Sequence, residues 1–315
     1  MNTYAHVYLS PHLDDAVLSC GGRIQQQVRA GERVLVVTVF ATTPLPGAPL
    51  SPFAQELHAR WEHLARAATR RQEEDLAALV LLGAEPMHWP YADCIYRQTP
   101  DGRFPYASEE ALWGEVHPAE EGLVAELAAR LAALPLRQGS AGTSVSVVYA
   151  PLGVGHHVDH QIVRRAAEDS EHTLIYYEEF PYAQDPQATQ AALEQEHWQA
   201  ELVPLSEEAL EAKIAAIACY RSQISTFWGD LAEMAADVRA FAERTGSGRP
   251  AERYWKPSLP HRPVRSAPSL GGRGERLPSS FRLRLRDEAL LVNDEPLVDG
   301  FSDPLCLVPC FDAEL

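Results

Sequence analysis

The chain has 315 residues and a formal net charge of −17 at pH 7, with 46% hydrophobic and 23% charged residues. This length and composition are typical of a globular protein with one large α/β domain, or with a domain and an appendage. The acidic balance argues against a nucleic-acid-binding protein, and no apolar run approaches the roughly 20 residues of a membrane span.

The first predicted element is a short buried strand at residues 7–9, and a helix begins a few residues later. Between them lies the motif Pro-His-Leu-Asp-Asp at residues 11–15, which contains His12, Asp14 and Asp15. Because ligands bind at the carboxyl edge of open α/β sheets, these side chains are candidates for a site. A simpler interpretation is that one of the aspartates only caps the helix.

The elements that follow alternate between strand and helix patterns. Residues 33–40 form a near-continuous β-branched and apolar run, which is typical of a parallel strand covered on both faces. Further strands are predicted at residues 86–90, 145–150 and 173–177, and helices at residues 53–82 (with or without one break), 120–134, 161–171, 205–220 and 231–244. This alternation predicts an α/β fold with a Rossmann-like, mostly parallel sheet flanked by helices.

A second motif, His-Val-Asp-His at residues 157–160, follows the strand predicted at residues 145–150. Two strand-end loops rich in His and Asp indicate a mononuclear zinc site, because catalytic zinc commonly takes three N or O ligands and leaves one position for water. The three ligands would be His12, Asp15 and His160. Asp14 and His157 then remain as an acid/base pair close to that water.

The amino-acid composition of the sequence changes at residue 246. Proline and glycine interrupt any regular pattern from there on, and six arginines are interleaved between residues 249 and 276. We therefore predict a domain at residues 1–245 and an irregular Pro/Gly/Arg-rich C-terminal extension at residues 246–315. Within the extension, residues 281–298 alternate around an Asn-Asp pair and are a candidate β-hairpin.

The two motifs resemble those of the PIG-L (LmbE-like) family of zinc-dependent N-acetylglucosamine-type deacetylases, roughly Ala/Pro-His-x-Asp-Asp and His-x-Asp-His. The resemblance covers about residues 4–227. It implies metal ligands at His12, Asp15 and His160. It also implies Asp14 as the base, His157 as a residue that stabilises the oxyanion or acts as an acid, and Asp159 as the residue that holds a neighbouring imidazole in its working tautomer. In the mechanism that we predict from these roles, a protonated His157 stabilises the oxyanion.

Two weaker similarities lie between the motifs. Arg71 and Glu74 look like the family's Arg-x-x-Glu helix, and Asp93 lies where an acidic sugar contact is usual. The resemblance implies that Arg71 and Asp93 bind substrate, although Arg71 alone could equally pair with Glu74 on a helix surface. Leu13 and Ala16 depart from the Pro and Glu that the family often has; neither is a ligand, and the change is compatible with a different substrate.

The predicted function is therefore zinc-dependent hydrolysis of an N-acetyl or other N-acyl group on an amino sugar or an N-acetylglucosamine-containing conjugate. Two alternatives stay open: a metal-dependent amidase acting on a non-sugar conjugate, and a non-catalytic metal- or sugar-binding module. The second alternative gives the spare carboxylate of Asp14 no role. Fe²⁺ or another divalent ion would suit the same ligands.

The remaining expectations concern location and partners. Five scattered cysteines indicate free thiols in a reducing compartment, so we expect a cytoplasmic protein. Its expected partner is a small-molecule N-acyl amino sugar or glycoconjugate, with no nucleic acid, and a homo-oligomer is compatible with the sequence. Specificity is expected to lie in the loops at residues 41–52, 91–105 and 178–182.

Overall fold

The computed structural model describes residues 3–44, 47–60, 64–136, 146–170, 172–194 and 197–258. Its strands form a seven-stranded sheet in the order β3-β2-β1-β4-β5-β7-β6. The strands are β1 (His6–Ser10), β2 (Val34–Thr38), β3 (Glu85–His88), β4 (Val147–Pro151), β5 (Thr173–Tyr177), β6 (Trp198–Pro204) and β7 (Ala251–Pro257). Strands β1 to β5 pair in parallel, whereas β7 runs antiparallel to both β5 and β6.

Helices cover both faces of this sheet. The α-helices within the described ranges are α1 (Asp15–Arg29), α2 (Pro52–Arg60), α3 (Leu64–Leu82), α4 (Glu109–Leu112), α5 (Glu121–Ala132), α6 (Val158–Glu168), α7 (Pro186–Leu193), α8 (Glu207–Ile217), α9 (Arg221–Phe227) and α10 (Leu231–Thr245). Helices α1, α3, α8, α9 and α10 contribute to one core, and α5, α6 and α7 to the other. The mostly parallel sheet with flanking helices confirms the predicted fold class.

Alternate residues of the central strands supply the two cores. Tyr8 and Val36 point into the core with α1 and α3, whereas Val7 and Val37 point into the core with α5 and α6. Successive side chains of a strand face opposite sides, so a strand covered on both sides must be apolar throughout. This requirement explains the continuous apolar run that identified β2 in the sequence.

The C-terminal part of the sheet differs from the sequence prediction. Strand β7 lies inside the segment that was predicted to be irregular, and it is inserted between β5 and β6. Pro250 precedes this strand and Pro257 is its last residue, so neither interrupts it, and Tyr254 is buried at its centre. The density of Pro and Gly was therefore a poor guide to where the sheet ends. The candidate hairpin at residues 281–298 lies outside the described residues.

The topology brings the two motifs to the same edge of the sheet. Strands β1 and β4 are parallel neighbours, with Tyr8 opposite Tyr149, so the loops after both strands emerge side by side. The exit loop of β5 lies next to them in the sheet order. Among the described helices, none combines the length and apolar character needed to cross a membrane.

Candidate metal centre and substrate cavity

The first motif forms the turn between β1 and α1. The Ser10 hydroxyl donates to the His12 carbonyl oxygen (2.7 Å) and accepts the Ala16 backbone N–H (3.0 Å), so this side chain closes the turn. Asp15 is the first residue of α1, and its Oδ2 accepts the His12 backbone N–H at 2.7 Å. These bonds hold the His12 imidazole beside the Asp15 carboxylate.

The three predicted metal ligands lie together. Oδ2 of Asp15 is 3.3 Å from Nδ1 of His12 and 3.3 Å from Nε2 of His160. A tetrahedral ion with bonds of about 2.0–2.1 Å separates its ligand atoms by about 3.3–3.4 Å. The observed spacing therefore fits an ion of the size of zinc, and two imidazole nitrogens with one carboxylate oxygen form a donor set that several divalent metals accept.

The opposite nitrogen of each of the two predicted ligand histidines contacts a buried carboxylate. Nε2 of His12 lies 3.0 Å from Oδ2 of Asp159, and Nδ1 of His160 lies 3.3 Å from Oε1 of Glu179. Such pairs set the tautomer and ring orientation of metal-binding histidines. We expected Asp159 to contact a neighbouring imidazole, and the imidazole that it contacts is that of His12.

Sequence reasoning missed Glu179. Its carboxylate is buried and also accepts the backbone N–H groups of Gly153 (2.6 Å) and Val154 (3.1 Å), which links the β5 exit loop to the second motif. The available signal was its position directly after strand β5, at the same sheet edge as both motifs. A Glu-Glu pair at residues 178 and 179 has no distinguishing spacing, so this signal was weak.

Asp14 adjoins the ligands without capping the helix. It immediately precedes α1, yet its side chain makes no capping hydrogen bond, so the simple capping interpretation of Asp14 does not hold. Its backbone φ of 143° lies in a region that residues with side chains rarely adopt and that recurs at functional sites. Burial and the Asp15 carboxylate raise the pKa of Asp14 to about 7, partly opposed by Arg71. A buried carboxyl with this pKa suits a general base.

The surroundings of His157 favour its neutral form. It precedes α6, and its Nδ1 accepts the Asp159 backbone N–H at 3.2 Å, which leaves the ring proton on Nε2. Burial and the nearby His12 lower the pKa of His157 to about 4. Sequence reasoning expects a protonated His157; with a pKa lowered in this way, a neutral imidazole would instead present an Nε2–H donor, and its ring centroid lies 5.0 Å from that of His12.

The electrostatics of the cluster favour positive charge between the ligands. Burial alone lowers the pKa of His160, but the carboxylates of Asp15 and Glu179 outweigh burial and raise this pKa to about 9. Burial also raises the pKa of Asp159, yet Arg97 and His12 hold it well below its usual range. Carboxylates that draw a proton onto the His160 imidazole in this way are also suited to a metal cation.

A cavity of about 520 Å³ opens at this cluster. Both predicted substrate residues line it: Arg71 Nη2 lies 3.7 Å from Asp14 Oδ2, and Asp93 Oδ2 lies 3.6 Å from His12 Nε2. Glu74 does not line the cavity; its carboxylate accepts the backbone N–H (3.0 Å) and the hydroxyl (2.5 Å) of Ser222. Glu74 thus joins α3 to the start of α9, a helix that contributes to the cavity wall.

Other parts of the cavity wall were not predicted. The described residues of the loop at 41–52 do not line the cavity, whereas the loops at residues 91–105 and 178–182 contribute lining residues. Trp113, directly after α4, and Phe227, at the end of α9, line the cavity and are 37% and 36% exposed. Trp113 packs its ring against His157, with centroids 5.1 Å apart. Neither aromatic residue belongs to a motif, so only the fold shows that they reach the site.

The chain is similar to known deacetylases. Residues 7–170, which include both motifs, match the PIG-L family, described as GlcNAc-PI de-N-acetylase. A 2'-N-acetylparomamine deacetylase of Niallia circulans is 26% identical over 243 residues, covering 73% of this chain and 84% of that protein.

Solved structures agree with the sequence match. The zinc-inhibited form of teicoplanin deacetylase Orf2 has a TM-score of 0.67 and 29% identity, over 79% of this chain and 96% of that one. The A40926 pseudoaglycone deacetylase Dbv21 has a TM-score of 0.60 and 29% identity, over 81% of this chain and 97% of that one. The chain therefore belongs to the PIG-L family and is a hydrolytic N-deacetylase, as its motifs predict.

Proposed function

We propose that this enzyme uses zinc to hydrolyse the N-acetyl group of an amino sugar within a glycoconjugate, and that it acts in the cytoplasm. The observation that carries the proposal is the position of Asp15 Oδ2, 3.3 Å from one nitrogen of each of two histidines and next to the spare carboxylate of Asp14. The named substrates of the relatives, N-acetylparomamine and teicoplanin, support an amino-sugar amide. The free thiols of Cys20, Cys94 and Cys219 support a reducing compartment.

His12, Asp15 and His160 would hold the ion, which when bound polarises the amide carbonyl and lowers the pKa of water. Asp14 accepts the proton of the attacking water as its oxygen adds to the carbonyl carbon. The Nε2–H of neutral His157 donates to the developing oxyanion. When the C–N bond breaks, Asp14 returns its proton to the amine, because a neutral His157 carries no spare proton.

The cavity wall supports recognition of a sugar. Arg71 donates N–H groups and the Asp93 carboxylate accepts hydrogen bonds, so the two can bind hydroxyl groups on either side of the reacting amide. Trp113 and Tyr182 pack ring against ring, with centroids 5.5 Å apart, and offer aromatic surface to the apolar face of a pyranose. A module that only binds metal would need neither the cavity nor Asp14.

Amine release from N-acetylglucosamine conjugates tests the proposal. We expect the purified protein to release amine, chelation to abolish the release, and added Zn²⁺ to restore it; addition of Fe²⁺ to a parallel chelated sample compares the two ions under the same conditions. Release that persists after complete metal removal would contradict a metal-dependent mechanism. A metal-loaded protein that cleaves only non-sugar amides would support the amidase alternative.

A substitution at Glu179 tests whether this carboxylate holds His160 in the orientation that binds the metal. We expect Glu179→Gln to weaken zinc binding by about 10- to 100-fold, because its amide group cannot accept from both Gly153 and Val154 while it also accepts from His160. Metal affinity measured by competition with a chromophoric chelator checks this expectation. Glu178→Gln is the matched control, since Glu178 is also buried but pairs with Arg253. Equal zinc affinity in both variants would contradict the role of Glu179.

A further inference from the structure

Arg97 is a buried arginine that contacts Asp159, and Asp159 in turn contacts the proposed metal ligand His12. It follows the short 3₁₀ helix Cys94–Tyr96, and its side chain is 12% exposed. Its Nη2 lies 2.7 Å from Oδ1 of Asp159, and its Nη1 donates to the Ala92 carbonyl oxygen at 3.1 Å. Its Nε and Nη2 donate to the two carboxylate oxygens of Glu120, at 2.6 and 2.8 Å. The guanidinium therefore bridges two buried carboxylates.

Contacts other than Asp159 are sufficient to hold Arg97 in place. The bidentate pair with Glu120 orients the plane of the guanidinium. The ring of Phe40 lies 4.7 Å and that of Tyr106 5.7 Å from the guanidinium carbon. The Tyr106 hydroxyl also donates to Glu120 at 2.9 Å, which holds Glu120 in turn. Arg97 is thus anchored independently and can set the orientation of its second carboxylate partner.

That partner, Asp159, is fully buried and contacts one ligand histidine. Its Oδ1 contacts Arg97, and its Oδ2 accepts the Cys94 backbone N–H (3.1 Å) and lies 3.0 Å from Nε2 of His12. The Arg97 contact at Oδ1 is an ion pair and not a hydrogen bond, so the guanidinium acts on this carboxylate through its charge. Together with the Cys94 N–H on Oδ2, that charge favours the orientation in which Oδ2 faces His12. The His12 proton then resides on Nε2, which leaves Nδ1 free on the side of Asp15.

The other ligand histidine is supported differently. Glu179, the carboxylate behind His160, is held by two backbone N–H groups and within the described residues contacts no arginine. Of the two supporting carboxylates, only the one behind His12 therefore has an arginine partner among the described residues. We propose that Arg97 is a positioning residue for the metal centre, acting through Asp159 to keep Nδ1 of His12 directed at the ion. This inference rests on the proposed function, because it requires the metal centre.

The test is the zinc dissociation constant, measured by chelator competition on the full chain. We expect Arg97→Met to weaken zinc binding by about 10-fold, the lower end of the range for groups that support ligands. Arg97→Lys keeps a cation beside Asp159 and is expected to lose less. Arg23→Met is the matched control: Arg23 is 14% exposed, lies 3.5 Å from Glu201 and packs on the rings of Tyr149 and Tyr254, away from the metal ligands.

A double-mutant cycle separates positioning from a general effect on folding. If Arg97 acts through Asp159, the Arg97→Met change will cost no further zinc affinity in a chain that already contains Asp159→Ala. The same tenfold loss in both backgrounds would overturn the inference, as would wild-type affinity in Arg97→Met. If Arg97→Met does not fold, the Arg97→Lys variant in the same two backgrounds decides in the same way. Absence of zinc binding by the wild-type chain would instead overturn the proposed function, and this inference with it.

Discussion

Asp14→Ala is expected to bind zinc as the wild-type protein does and to lose about 10²- to 10⁴-fold in kcat, the contribution typical of a general base. Asp14 is not a proposed ligand, yet it is buried directly beside Asp15 and faces the cavity. Its removal deletes the proton acceptor and leaves His12, Asp15 and His160 in place. Amine release gives kcat, and metal analysis of the same preparation gives the zinc content.

A glycine at the same position separates catalysis from backbone strain. At a φ of 143°, alanine retains the strain of the native residue, whereas glycine relieves it. Asp14→Gly is therefore expected to be as inactive as Asp14→Ala but more stable to unfolding, by about 1 kcal/mol. Loss of stoichiometric zinc in both variants would show that Asp14 is a ligand and would remove the base assignment. Activity near wild type in either variant would also remove the base assignment.

His160→Ala is expected to lose zinc binding by far more than the roughly 10- to 100-fold typical of groups behind the ligands. His160 presents Nε2 beside Asp15 and is buried between that carboxylate and Glu179. Without the imidazole, two ligands remain and two buried carboxylates face each other without a cation between them. The zinc dissociation constant and the circular dichroism spectrum, measured together, distinguish loss of the ligand from loss of the fold.

Two further variants make the experiment on His160 decisive. His156→Asn is the control, because the His156 side chain is 53% exposed and its φ of 63° is one that asparagine tolerates. We expect this control to retain zinc. His12→Ala removes the other imidazole and is expected to lose zinc as His160→Ala does. Stoichiometric zinc in a folded His160→Ala protein would refute the assignment of this residue as a ligand.

The local patterns of the sequence were sufficient for strands β1 to β5, most helices and the two motifs. Strand β2 was visible because a strand covered on both faces must be apolar at every position. The proposed ligands were visible because a parallel sheet places its strand-end loops at one edge, so two His/Asp motifs after two strands must lie near each other. Strands β6 and β7 were not visible, because most of their side chains are at least partly exposed and they lack a continuous apolar run.

Contacts between distant residues were decided only by the tertiary structure. Asp159 contacts His12 across 147 positions of the chain and Glu179 contacts His160 across 19, and no spacing rule predicts either pairing. The neutral state of His157 depends on burial, which a sequence pattern does not report. Residue type and period are local properties that determined the fold class and the proposed ligands. Orientation, protonation and the cavity wall depend on which distant elements pack together, so the folded chain alone decided them.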